Sequence, residues 1–220
     1  MLIEGGYVVT NAHVVWPFDE VRVVFPNGAD FTAAPVKSID VLGDLAVIGP
    51  IDFSYPGKLQ TPDLPRPVSI SPSLRVTPLP VVFTNGEDLA VGSDLFLIGY
   101  PAESLPFPQP AISGGVLSRF REWEALEITY FQTATAIAGG QSGGVLVSSV
   151  GEVIGISGLV FSTEEARFGL VASAADVMPR VEGLIAGDDV SGLGPGRCQR
   201  KGAGWRTTYR WRMLGNWAHT

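Results

Sequence analysis

From "YVVTN" at residues 7–11 to "RFGLVAS" at 167–173, the apolar residues of this 220-residue chain come in short runs, each closed by turn formers. That rhythm constrains the fold most, because half-buried strands read this way and helices need longer periodic stretches. "VRVVFPNGADFTAA" (21–34) predicts a hairpin turning at Asn27-Gly28, a pair that accepts φ > 0 at both central positions. "DLAVI" (44–48) predicts a strand entered at Asp44. "SDLFLIGYP" (93–101), "AISGGVLSRFREW" (111–123), "ALEITYFQTAT" (125–135), "GVLVSS" (144–149) and "EVIGISGLV" (152–160) continue the series, with Val150-Gly151 in a tight turn. One stretch has helical spacing, "SAADVMPRVEGLIAG" (173–187), with Ser173 as cap and Val177, Val181, Leu184 and Ile185 on one face. Pro179 opposes that helix unless it falls in the first turn. Prolines crowd residues 49–80, which reads as a long connection. The expected class is all-β, two antiparallel units closed by a C-terminal helix.

Composition narrows the class further. With 45% hydrophobic and 17% charged residues, 27 Gly and 17 Pro, the chain is a folded, turn-rich protein rather than a disordered or fibrous one. No window approaches the ~18 apolar residues of a spanning helix. "MLIEGGYVVT" has no basic n-region and is not expected to be a signal peptide. Cys198 is the single cysteine, which excludes an intrachain disulfide, and with only His13 and His219 beside it no Cys/His zinc site is expected. A cysteine nucleophile is also a poor reading, since "GRCQRKGAG" offers Cys198 no strand or helix. No metal and no cofactor are expected.

Charge is uneven. Residues 1–192 carry 9 Lys/Arg against 22 Asp/Glu, a net of −13, whereas 193–220 carry six basic residues and no acid. That basic end also holds Trp205, Trp211 and Trp217, which could stack on bases or dip into a membrane interface. Its apolar residues keep no helical period, so 191–220 is expected to be an appended, poorly ordered tail. The acidic body argues against nucleic acid as the main partner.

"AIAGGQSGGVLVSSVGEVIGI" (136–156) sets Ser142 between two glycine pairs just before a strand. A tight loop entering a strand would explain it. So would a nucleophile loop, whose small residues expose Ser142 Oγ and aim backbone N–H groups at a developing oxyanion. Acyl transfer by serine needs a base and an acid that orients the base. His13, in "GYVVTNAHVV", is the sole histidine of residues 1–192, and Asp44, in "VLGDLAVI", abuts an apolar strand. Alone, His13 has an ordinary structural reading and Asp44 reads as a turn aspartate after Gly43. Together they give the chain order His, Asp, Ser, which suits two β-barrels with a cleft between them.

"GYVVTNAHVV", "GDLAVI", "VGSDLFLIGYP", "ISGGVLSRF" and "FQTATAIAGGQSGGVLVSSVGEVIGI" resemble the trypsin-like protease domain of the HtrA/Deg family over about residues 5–185. The resemblance implies the trypsin-like fold of two antiparallel β-barrels. The protease domain would span 1–190: first barrel about 1–50, linker about 51–92, second barrel and helix about 93–187. It implies His13 as general base, Asp44 as its orienting acid and Ser142 as nucleophile, with the N–H groups of Gly140 and Ser142 as oxyanion hole. Ala136, Ser157, Gly158, Leu159 and Val160 would line the S1 pocket.

Three departures stand beside these matches. Gln141 replaces the family's usual Asn, and Val145 a common Pro or Ala; both leave the loop competent. No Asp precedes Ser142, so the salt bridge that activates digestive zymogens cannot form. No residues remain for a PDZ domain and the first barrel starts late, so the chain reads as N-terminally incomplete. The activity implied is a serine endopeptidase cutting unfolded or flexible polypeptide segments through an acyl-enzyme. An esterase on the same site and a catalytically silent peptide-binding or chaperone-like module are the alternatives. An extracytoplasmic, periplasmic or secreted location and a homotrimer follow from the resemblance alone.

Overall fold

The short strands that the apolar runs predict are present in the computed structural model. It describes residues 1–25, 30–52, 88–102, 110–162 and 167–188, with side chains for all but 159–162 and 167. The expected turn at Asn27-Gly28, most of the proline-rich connection and the basic tail lie outside these residues.

The first unit is a four-stranded antiparallel sheet of β1 (Val8–Thr10), β2 (Glu20–Val24), β3 (Asp30–Asp40) and β4 (Leu45–Ile48), in the order β1-β4-β3-β2. All four residues of β4 are buried, as befits a strand covered on both faces. Met1–Ile3 fold back along the far side of β1, where Leu2 bridges Val8. A one-turn helix, α1 (Ala12–Val15), leaves the end of β1.

The second unit is a closed barrel of β5 (Asp94–Gly99), β6 (Ala111–Trp123), β7 (Ile128–Thr133), β8 (Val145–Ser148), β9 (Val153–Ser162) and β10 (Arg167–Ser173). Its strands pair antiparallel in the order β10-β7-β6-β5-β8-β9. Leu95, Leu97, Leu117, Phe131, Leu146, Ile154 and Val171 fill its interior. Closure removes the free edges that an open sheet would leave.

A C-terminal helix, α2 (Ala174–Ala186), packs its Val177, Val181 and Leu184 stripe against both units. The helix is where the sequence placed it, with Ser173 at its N-cap position, although the Ser173 side chain makes no capping bond. Pro179 lies beyond the first turn, and the helix runs through it because the apolar stripe outweighs one missing hydrogen bond. Asp44 stands ahead of β4 rather than in it, because its φ of +51° is left-handed and cannot join a ladder.

The resulting core has a shared centre. Val9, Leu45 and Val47 of the first sheet meet Ile128, Tyr130, Ile156 and Ala172 of the barrel and the buried face of α2 in one cluster. That cluster holds the two units in register and sets the cleft between them.

Candidate active site

His13 owes its place to the end of β1. The chain leaves the strand at Asn11 and turns helically, with Val14 N–H bonded to Asn11 C=O at 3.2 Å and Trp16 N–H to Ala12 C=O at 2.9 Å. Buried Ala12 anchors the turn and leaves the His13 ring half-exposed above it. The sequence predicted the strand but not this helical turn.

Asp44 receives the ring. The His13 N–H donates to Asp44 Oδ1 at 3.0 Å, and Nδ1 stands 3.0 Å from Oδ1 and 2.8 Å from Oδ2. An ionised carboxylate can only accept, so the ring proton belongs on Nδ1 and Nε2 is left with a free lone pair. That lone pair faces Ser142 Oγ at 3.0 Å. Asp44, His13 and Ser142 are thus joined in an unbroken line across the cleft, two from the first unit and one from the second.

The turn before Asp44 is held from inside. Asp40 Oδ1 accepts from the N–H groups of Leu42 (3.1 Å) and Gly43 (3.0 Å). Asn11 Nδ2 donates to the Asp44 carbonyl at 3.0 Å, which ties the His13 turn to the Asp44 turn. Asn11 is a residue that the sequence gave no reason to single out. Its Oδ1 is buried and has no partner among the described residues. It lines a cavity of about 10 Å³ with Asp44, Tyr130 and Gly158, room for a single water. Burial pushes the Tyr130 phenol above its usual range and the Asp44 charge adds to the shift, so the hydroxyl keeps its proton as a donor.

The Ser142 loop is braced at several points. Gln141, buried, accepts the Ala138 N–H on its Oε1 at 2.7 Å and that of Gly144 on its carbonyl at 3.0 Å. Gly143 N–H bonds the Ser157 carbonyl and Ser157 N–H the Gly144 carbonyl, each at 2.8 Å, which locks the loop onto β9. The glycines are needed for two separate reasons. Gly140 and Gly143 have φ of +91° and +76°, and a Cβ at either would run into the Ala102 backbone or Thr10 respectively. Among the described residues, neither the Gly140 nor the Ser142 N–H donates to a backbone carbonyl.

The expected pocket residues are less uniform. Ala136 is exposed, Ser157 is fully buried with no partner for its Oγ among the described residues, and Gly158 is half-buried against Asn11. Leu159 and Val160 are paired to Leu170 and Gly169 of β10, and their side chains lie outside the described ones. Ile137 went unnoticed in the sequence. It packs on Gly169, whose missing Cβ makes the room, and nothing local in "TAIAGG" signals a partner 32 positions away. Among the described residues no group of His, Cys, Asp or Glu could hold a metal ion.

Residues 1–156 match the family described as the trypsin-like peptidase domain. A relative named a probable periplasmic serine endoprotease DegP-like, from Halomonas elongata, is 29% identical over 172 residues, 77% of this chain and 30% of the relative. Serine protease HTR4 of Rattus norvegicus is 32% identical over 162 residues, 71% of this chain and 28% of that protein. A solved structure, the HtrA-type protease AlgW with decapeptide, superposes with a TM-score of 0.63 at 23% identity, covering 86% of this chain and 51% of the other. The chain therefore spans about 30% of the length of the curated relatives it matches. It belongs to the trypsin-like peptidase domain family and is, within it, an HtrA-like protease domain.

Proposed function

We propose that this chain is a serine endopeptidase that hydrolyses peptide bonds in unfolded or flexible polypeptide segments, with Ser142, His13 and Asp44 as its catalytic triad. The observation that carries the reading is the continuous line from Asp44 through His13 Nδ1 and Nε2 to Ser142 Oγ, with steps of 2.8 and 3.0 Å. In the first half-reaction His13 Nε2 takes the Ser142 proton as Oγ attacks the substrate carbonyl. The tetrahedral oxyanion forms against the N–H groups of Gly140 and Ser142, and His13 then gives its proton to the leaving amine. In the second half-reaction water repeats the sequence on the acyl-enzyme, and Ser142 regains its proton. Asp44 keeps the imidazole in one tautomer and stabilises its cationic form throughout.

The catalytic domain in this reading is 1–190, and Ala136, Ser157, Gly158, Leu159 and Val160 border the S1 pocket. Ala136 puts no carboxylate there, so a P1 Arg or Lys would lose its hydration with no ionic partner. Val, Ala and Leu are the P1 residues expected instead. The name of the Halomonas relative supports an extracytoplasmic site of action, and a homotrimer is the assembly that the family resemblance suggests.

The test is proteolysis of a permanently unfolded, reduced and alkylated protein beside the same protein folded. The wild-type chain should cut the unfolded form after small aliphatic residues, and Ser142→Ala should cut neither. Cleavage by Ser142→Ala, or a dominant cut after Arg or Lys, would contradict the reading.

A further inference from the structure

The Asp44 turn is held by a group from the opposite end of the chain. Arg180, on α2, donates from Nη1 to Asp40 Oδ2 at 3.0 Å and from Nη2 to the Leu126 carbonyl in the loop before β7. The Asp40 side chain has no exposure at all, and that of Arg180 has 19%. One carboxylate oxygen therefore meets a guanidinium while the other accepts the amides of Leu42 and Gly43. A buried carboxylate is tolerable only with such partners, because an isolated charge there is strongly disfavoured. Little slack surrounds it: a Cβ on Gly43 would stand 2.5 Å from Asp40 Oδ2.

Those two amides precede Asp44, whose left-handed backbone directs its carboxylate at His13. If Asp40 loses the guanidinium that fixes it, its carboxylate is drawn toward water, which loosens its hold on the amides of Leu42 and Gly43 and lets the turn relax from the conformation that Asp44 needs. Ser142, by contrast, is braced from β9 and Gln141, so its loop does not depend on this ion pair.

We propose that Arg180 is a positioning residue for the His13–Asp44 pair: it fixes Asp40, and through Asp40 the turn that aims Asp44, from a helix outside the cleft. This inference rests on the catalytic reading of His13, Asp44 and Ser142.

Arg180→Lys keeps the charge but cannot fork between Asp40 and the Leu126 carbonyl, and Asp40→Asn keeps the shape while removing the charge. Single-turnover acylation should fall ~10-fold in the first and up to ~100-fold in the second, as expected of a small misplacement of a catalytic group. KM should stay within ~2-fold, because only the base is displaced. The low-field proton resonance of His13 Nδ1–H should shift or broaden in both variants, while far-UV circular dichroism stays unchanged. If Asp40→Asn does not fold, Arg180→Lys decides alone. Wild-type acylation in a folded Arg180→Lys overturns the inference, as does slow acylation with an unmoved His13 resonance. Ser142→Ala runs alongside: turnover in that variant would sink the catalytic reading itself, separately from the role of Arg180.

Discussion

Asp44 occupies a backbone conformation that most side chains avoid, with φ at +51°, and short polar residues such as Asp tolerate it best. Both its oxygens lie within 3.0 Å of His13 Nδ1, and its role in the proposed triad is to fix one tautomer. Asp44→Asn keeps the size but offers an amide that can favour the wrong tautomer. We expect kcat to fall by about 10⁴ with KM little changed, measured on a peptide ester. A loss under tenfold would remove Asp44 from the proposed triad. Gly143→Ala tests the loop: a Cβ there meets Thr10 at a left-handed φ, so both the melting temperature and kcat should drop. Unchanged values for both would mean that the loop is softer than its bonds imply. His13, Asp44 and Ser142 could be picked out in the sequence because one histidine, one strand-abutting acid and one glycine-flanked serine stand in order. Their supports could not. Asn11 meets Asp44 across 33 positions and Arg180 meets Asp40 across 140, and no local pattern encodes such pairings.

Among the elements, α2 shows how packing overrides propensity. Pro179 is exposed in the second turn and withholds one backbone hydrogen bond, yet Val177, Val181 and Leu184 hold the helix in place from its other side. Pro179→Ala restores that bond and should stabilise the protein by about 1–2 kcal/mol, after allowing for the stiffness that proline gives the unfolded chain. A lower melting temperature would contradict this. Leu184→Ala should cost about 2–5 kcal/mol, since the side chain lies in the shared cluster where little can collapse around the gap. The strands were legible because their alternation is strong: in β5, Leu95, Leu97 and Gly99 are buried while Asp94 and Phe96 face out. β4 begins one residue after Asp44, whose left-handed φ keeps it out of the ladder, and the His13 turn was not foreseen.

At the scale of the molecule, the cleft is a product of two sheets meeting on one cluster. Val9, Leu45 and Val47 from the first unit and Ile128, Tyr130 and Ile156 from the second share it with α2. Unfolding should therefore be one cooperative transition, with near-UV and far-UV circular dichroism giving the same midpoint. Two separated midpoints would mean that the units are independent and that the cleft geometry is not fixed by the core. The double-unit plan was readable from the order of short strands around a proline-rich connection. The second barrel was expected from the family resemblance and is closed, whereas the strand order β1-β4-β3-β2 of the first unit was not readable, because register and edge pairing are settled by long-range contacts. Catalysis in this account requires residues from both units, with His13 and Asp44 on one side of the cleft and Ser142 on the other. The direct test is the stoichiometry and position of labelling by a fluorophosphonate, followed by peptide mass spectrometry. The account predicts one label per chain, on Ser142, formed far more slowly in His13→Ala and not at all in Ser142→Ala. No labelling of the folded wild-type chain, a label on another residue, or an undiminished rate in His13→Ala would contradict it.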